Sequence, residues 1–193
     1  MCLPQTNIKM RQTMKKTLAA IALLIAPLGY ATDLTTGENL ITQFGPEFSD
    51  YDKYRPFTLD EHDNYTQLWR SIERGFSDHY SINIVDARGK TLDAFKTAQD
   101  ETVERICLNH DATAIENKVI NGYQAISWQT SCEQEKLTIT SIELAIMGNE
   151  KFYHLRKLWK IPVTNEKVTE WEALISQTSV CDTAQDQHSC PTE

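Results

Sequence analysis

The chain has 193 residues, 40% hydrophobic and 24% charged, and its 27 acids against 19 lysines and arginines give a net charge of −8. That length suits one domain with a single core. The negative balance repels phosphate backbones and anionic membrane surfaces, which disfavours nucleic-acid binding. Arg156, Lys157 and Lys160 form a local basic group, read as a solvated strand face.

The first element is a leader. Lys15 and Lys16 precede TLAAIALLIAPLGYA, an apolar run too short to span a bilayer, with small residues at Gly29 and Ala31. This is the three-part pattern of a secretory signal peptide, so residues 1–31 are expected to be removed near Ala31. The mature chain is then periplasmic or secreted. The bases Lys9, Arg11, Lys15 and Lys16 leave with this segment and no acid does, so the charge falls to −12. Met10 and Met14 would each start a better-proportioned leader. Thr32 follows the apolar run where a lipid anchor would need cysteine, and no transmembrane anchor is expected in the mature chain.

Four cysteines remain beyond the leader: Cys107, Cys132, Cys181 and Cys190. An even count in an exported chain argues for disulfides. Three connectivities are possible. Cys181 and Cys190 flank the polar loop DTAQDQHS, and their pairing would pin a tail without apolar residues, leaving Cys107 with Cys132. No CxxC occurs, and the CxxH of Cys107 and His110 lacks further zinc ligands. No metal and no cofactor is expected.

An extended lead-in occupies residues 32–62, an α+β domain residues 63–180, and the disulfide-pinned tail residues 181–193. Tyr65, Leu68, Trp69, Ile72 and Phe76 recur at helical spacing behind a cap at Asp63 or Asn64, predicting a first helix. Tyr80 to Val85 alternates and is β-branched, predicting a strand. A second helix is predicted over about Thr91 to Ile106, with Leu92, Phe95, Val103 and Ile106 on its inner face. Ala114 to Ile120 and Tyr123 to Thr130 flank Asn121 and Gly122, the signature of a type I′ hairpin. Leu137 to Met147 is a third strand whose apolar phase shifts, suggesting a bulge near Thr140 and Ser141. Gly148 and Asn149 turn into a last strand, Phe152 to Ile161, stopped by Pro162. A final helix, Asn165 to Thr178, capped by Thr164, buries Val168, Trp171, Leu174, Ile175 and Thr178. The result is an α+β fold: an antiparallel sheet of about four to five strands with helices before and after it.

From Asn121 to Cys181, the hairpin NGYQAISW, the long strand after it, the turn GNEKFYHLRKLWK and the closing helix with Trp171 resemble small exported Mog1/PsbP-like α-β-α sandwich proteins. The likeness covers about the last two-thirds of the mature chain. It implies a binding or accessory role and carries over no functional residue.

The chemistry-bearing residues offer no catalytic motif: there is no GxSxG, no phosphate-cradling glycine loop, no SxxK and no HExxH. Asp60, Glu61, His62 and Asp63 are the densest group of potential ligands, but adjacent side chains diverge, and acids suit a helix start. Asn64, Tyr65 and Thr66 form a glycosylation sequon. His154 lies two residues from Arg156 on one strand face, without a named nucleophile. His62, His79, His110 and His188 read as surface residues. Trp69, Trp128, Trp159 and Trp171 read as core, with Trp128 and Trp159 the ones to expect at a surface. A ligand or partner surface is therefore expected over Trp128, His154, Arg156 and Trp159. The leading functional expectation is a non-catalytic exported protein of a bacterial envelope or secretome that binds a protein or small ligand. A secreted hydrolase with a site assembled from residues such as His154, Asp182 or His188 is the alternative, and a secreted effector or inhibitor the third.

Overall fold

The computed structural model describes residues 34–42, 49–57 and 65–191. The leader with its cleavage point, the Asp60–Asp63 group and the cap at Asp63 or Asn64 lie outside the described residues.

Two short strands, β1 (Glu38–Ile41) and β2 (Tyr51–Phe57), come from the lead-in. A hairpin follows, β3 (Tyr65–Ser71) and β4 (Gly75–Asp86), then α1 (Leu92–Ile106). The chain continues through β5 (Asn109–Ala112), β6 (Glu116–Ile120), β7 (Tyr123–Glu133), β8 (Thr138–Met147) and β9 (Lys151–Trp159). It closes with α2 (Asn165–Ser176), β10 (Ser179–Asp182) and a single 3-10 turn, Asp186–His188. The main sheet is antiparallel and eight-stranded, in the order β2-β3-β4-β9-β8-β7-β5 with β6 also on β7, and β1 pairs with β10 in a second sheet.

The class is α+β, but the sheet has eight strands where four to five were expected. The largest difference is the predicted first helix, which is the β3–β4 hairpin. Its apolar residues are spread over both faces of the hairpin and its turn: Trp69 is buried on one side, Leu68 is half-buried on the other, and Ile72 and Phe76 are exposed. Apolar residues that keep to no single face do not alternate, and five in twelve can then mimic a helix. The expected bulge in β8 is absent, because that strand is buried on both faces and its apolar residues need not alternate. Its pairing with β7 and β9 is continuous, with Ile142, Leu144 and Ile146 in one core and Ile139 opposite Cys132 on the other face. An extra residue sits instead between β5 and β6. The ladder passes from Ala112↔Thr130 to Glu116↔Ser127, so together they act as one bulged edge strand.

Other elements follow local chemistry. Thr91 caps α1 by accepting from the Ala94 amide at 3.1 Å, and Thr164 caps α2 through the Lys167 amide at 3.3 Å. The inner face of α1 departs from expectation: Lys96 is buried, whereas Ile106 is exposed. Lys96 pairs with Asp100 one turn on and lies 5.4 Å from the Trp128 ring, which lets an amphipathic stem fill an apolar site. The second face of the sheet receives α2 through Val168, Trp171 and Ile175.

Asn121 and Gly122 both have positive φ, 47° and 85°, as a type I′ turn requires. A Cβ at Gly122 would fall 2.7 Å from the His188 ring. Gly122→Ala is therefore expected to cost about 1–2 kcal/mol, read as a lowered thermal midpoint. The disulfides are Cys107–Cys132 and Cys181–Cys190. Such bonds form in oxidising compartments, so the folded chain belongs to an exported protein. No described helix is long and apolar enough to cross a membrane.

Candidate functional site

Two faces of the sheet carry two different polar clusters, each built from side chains distant in sequence. On the α1 side, β9 presents Phe152, His154, Arg156 and Leu158, since alternate residues share a face. On the other side lie Tyr153, Leu155, Lys157 and Trp159.

The α1-side cluster centres on Glu143, a buried carboxylate of β8. His154 Nε2 donates to Glu143 Oε2 at 2.5 Å, and the Ser141 hydroxyl donates to Oε1 at 2.8 Å. Arg156 Nε lies 3.1 Å from the same Oε1 and forms an ion pair with it. Behind His154, the Thr66 hydroxyl donates to Asn83 Oδ1 at 2.9 Å, and Asn83 Nδ2 faces His154 Nδ1 at 3.5 Å. The polar chain thus crosses β3, β4, β9 and β8. Phe95 of α1 covers the imidazole edge-on at 4.8 Å, and Trp128 lies parallel to it at 6.4 Å. Burial pushes the Glu143 carboxyl up, but the hydrogen bond from His154 and the charge of Arg156 outweigh it and hold it below its ordinary value.

A carboxyl that titrates lower when folded contributes stability at neutral pH and loses it as pH falls through the folded value. Glu143→Gln is expected to flatten the acid limb of the stability curve below about pH 4.5. Urea titrations at pH steps measure this.

The opposite cluster surrounds Lys157, which is fully buried. Its ammonium contacts Asp78 and donates to the Tyr51 hydroxyl at 2.9 Å, and Tyr51 donates to Asp78 at 2.8 Å. The rings of Trp171, Tyr51 and Trp159 enclose it at 4.2, 4.5 and 5.0 Å. The basic group Arg156, Lys157 and Lys160 is therefore not one solvated face, because Lys157 points into the core between β9 and α2.

The expected surface residues separate accordingly. Trp128, His154 and Arg156 share the α1 side, where Trp128 and His154 are buried and the Arg156 side chain is 34% exposed. Trp159 is 1% exposed on the other face and belongs to the lysine cage. The surface assignment thus reduces to Arg156, with the other three inside the fold. Two histidines expected at the surface are also drawn in. His188 is buried and stacks on Tyr123 at 4.1 Å, donating from Nδ1 to the Asn121 carbonyl at 2.8 Å. His79 is half-buried; burial pushes its imidazole down, its hydrogen bond to the Phe76 carbonyl opposes this, and the charges of Arg156, Lys157 and Lys160 add to the fall.

Neither cluster is arranged for nucleophilic catalysis. An activated serine must donate to an imidazole that an acid orients. Here the acid lies in the middle, so Ser141 donates to Glu143 and not to His154. Among the described residues no group of three histidines, cysteines or acids could hold a metal ion.

Sequence reasoning missed Glu38, Asp78 and Tyr51. Glu38 is 2% exposed and accepts from the amides of Asn149, Glu150 and Lys151 at 2.5, 3.2 and 3.0 Å, fixing the β8–β9 turn. Nothing local marks these residues, because each finds its partners across the sheet.

No protein-family model matches the sequence, and no curated protein does. Among solved structures, the cyanobacterial PsbP protein CyanoP of Synechocystis sp. PCC 6803 aligns over 80% of this chain and 99% of its own at 10% identity, with a TM-score of 0.51. PA94 of Pseudomonas aeruginosa, a protein of unknown function and putative regulator, aligns over 74% and 99% at 13% identity with a TM-score of 0.45. LpqN of Mycobacterium tuberculosis, involved in cell envelope biogenesis, aligns over 77% and 92% at 11% identity with a TM-score of 0.36. At these identities the likeness to CyanoP concerns architecture alone, and the fold of this chain is PsbP-like.

Proposed function

We propose that this is an exported, non-catalytic accessory protein of a bacterial envelope or secretome, processed near Ala31, that binds a partner protein or small ligand on the α1 side of its sheet. Arg156 is the contact residue, and Glu143, His154 and Trp128 are its support. The observation that carries this reading is the asymmetry of the Glu143 cluster. Its inner members are buried and hydrogen-bonded to one another, while the guanidinium they fix remains one-third exposed. A cation held by a buried carboxylate loses little conformational freedom when a ligand arrives, which is the benefit of preorganisation.

A photo-crosslinking amino acid at position 156, compared with one at the exposed Glu101 of α1, tests the reading in cells. The expected result is a discrete adduct from position 156 alone, in periplasm or medium, on a chain that begins at Thr32 and carries both cystines. Unprocessed precursor in the cytosol with reduced thiols would defeat the export reading. Identical adduct patterns from the two positions would defeat the binding face.

A further inference from the structure

We infer that β6 is a self-association edge: two copies of the chain pair antiparallel along Glu116–Ile120, with Asn117 on the twofold axis. This surface is separate from the Arg156 face and stands independently of the reading above. β6 pairs with β7 on one side, and among the described residues no strand covers its other side. The Thr113 amide donates to the Gln129 carbonyl at 3.0 Å, which turns the odd-numbered residues of β7 toward β6. Through the register Ile120↔Tyr123, Lys118↔Ala125 and Glu116↔Ser127, those three residues of β6 spend their backbone groups on β7. Asn117 and Val119 therefore aim their N–H and C=O groups outward, as a template for another strand.

The two edges of the main sheet differ in how they are protected. β2 carries Lys53, Pro56 and a register shift between Tyr54 and Phe57, three devices that blunt pairing. Glu116–Ile120 has no proline and an unbroken ladder. Its one lysine is neutralised by Glu116, whose carboxylate lies 3.0 Å from the Lys118 ammonium. Val119 is 73% exposed, the most of any large apolar side chain among the described residues, and Ile115 is 45% exposed.

The edge is complementary to itself. With Asn117 on the axis, Glu116 stands opposite Lys118 of the second copy and Ile115 opposite its Val119. Symmetry repeats each contact, so opposite charges meet on one face and apolar side chains on the other. Asn117 meets its own copy as a hydrogen-bonded pair, which its outward backbone groups permit. Moving the axis by one residue sets Lys118 against Lys118 or Glu116 against Glu116, and like charges in direct opposition disfavour both. Moving it by two sets Lys118 against Ile120 or Ala112. Charge thus selects both the occupant and the register.

The surroundings leave space for the second copy. α1 packs over β5, β7 and β8, and α2 over β8. Three strand spacings, about 14 Å, separate the two copies of β7 across the joint, more than the width of about 10–12 Å of a helix. The nearest further acids are Asp93 of α1, on the side of the apolar pairs, and Glu172 of α2, on the side that holds both Lys118 ammoniums. The net charge of −8 on each copy opposes association. A strand pair of this length also falls below the roughly 1,200 Å² of a standard interface, so the dissociation constant is expected at about 10–100 µM.

Sedimentation of the oxidised protein between about 5 and 500 µM tests the edge, with a monomer–dimer equilibrium expected inside that range. Val119→Pro removes an outward amide that β7 does not use. It is expected to weaken the dimer about tenfold or more, with both cystines and the circular dichroism unchanged. Glu116→Lys and Lys118→Glu leave the backbone alone and set like charges opposite each other, and each is expected to weaken self-association about tenfold. An equimolar mixture of those two variants presents two bases to two acids and is expected to associate as tightly as the parent protein. Asn117→Cys is expected to yield, on mild oxidation, a dimer linked through position 117 alone. A monomer throughout the concentration range would overturn the inference and leave the edge to a strand of another protein. So would a dimer unchanged in Val119→Pro, or a mixture no tighter than either charge variant by itself. The adducts at position 156 are read separately, so either reading can fail while the other stands.

Discussion

Replacing Lys157 with methionine is expected to lower the unfolding free energy by about 3–5 kcal/mol, the cost of leaving a buried carboxylate with neither its counter-charge nor the hydrogen bonds of the amine, which a neutral lysine still donates. Methionine matches the lysine stem in length and can occupy the space between Tyr51, Trp159 and Trp171, so the loss isolates the charge from the packing. Asp78 then faces the rings with only the Tyr51 hydroxyl, which already donates to it. Adding Asp78→Asn to the methionine variant should return part of the loss, because a neutral amide costs less to bury than an unpaired anion. Urea denaturation of the two variants measures both terms. A loss below about 1 kcal/mol in the single variant would mean that the pair is solvated, as surface pairs are.

The same cage gives a pH signature of definite sign. Burial pushes the Lys157 amine down to about 8, against the pull of the Asp78 carboxylate. In the unfolded chain a lysine titrates near about 10.4. Between those values the unfolded state holds a proton that the folded state has released, so stability rises with pH. Tyr51 acts in the opposite sense above its ordinary value, because burial and Asp78 keep its hydroxyl protonated in the folded chain. The net expectation is a rise from about pH 8 to about pH 9.5 that the methionine variant lacks. Parallel stability curves for the two proteins would remove Lys157 as its source.

Much of the fold was legible where the determinants are local. The start of α1 beside Thr91, the cap at Thr164, the Asn121–Gly122 turn and the inner stripe of α2 each depend on residues within a few positions of one another, and each has its expected place. The edges of the structure were not. β1 and β10 are four residues each and pair across the full length of the chain, and neither carries a period long enough to recognise. The β3–β4 hairpin was misread for the opposite reason, since apolar residues on both of its faces, Ile72 and Phe76 among them exposed, make a pattern that mimics a helix. The clusters failed more deeply. His154 and Arg156 were paired from strand alternation alone, but Glu143, which joins them, comes from the neighbouring strand. Lys157 sat in plain view among surface bases, and its burial is decided by Asp78 and three rings from β2, β9 and α2.

The two disulfides should differ in what their removal releases. Loop entropy over the 25-residue separation of Cys107 and Cys132 is worth about 3.5 kcal/mol, and over the 9-residue separation of Cys181 and Cys190 about 2.6 kcal/mol. The first bridge ties the end of α1 to β7, whose other neighbours form the centre of the sheet, so its loss is felt by the whole domain. The second closes the tail onto β10, which touches the body through β1, Glu38 and the stacking of His188 on Tyr123. Cys107→Ala with Cys132→Ala is therefore expected to lower the global denaturation midpoint more than Cys181→Ala with Cys190→Ala. Amide exchange at Glu38, Val180 and Lys151 should accelerate in the second pair alone, because a four-residue ladder without its clamp opens locally before the domain does. Equal falls in midpoint, with no selective exchange, would mean that β1 and β10 unfold only together with the main sheet and that the tail bridge supports the core as much as the bridge beside α1.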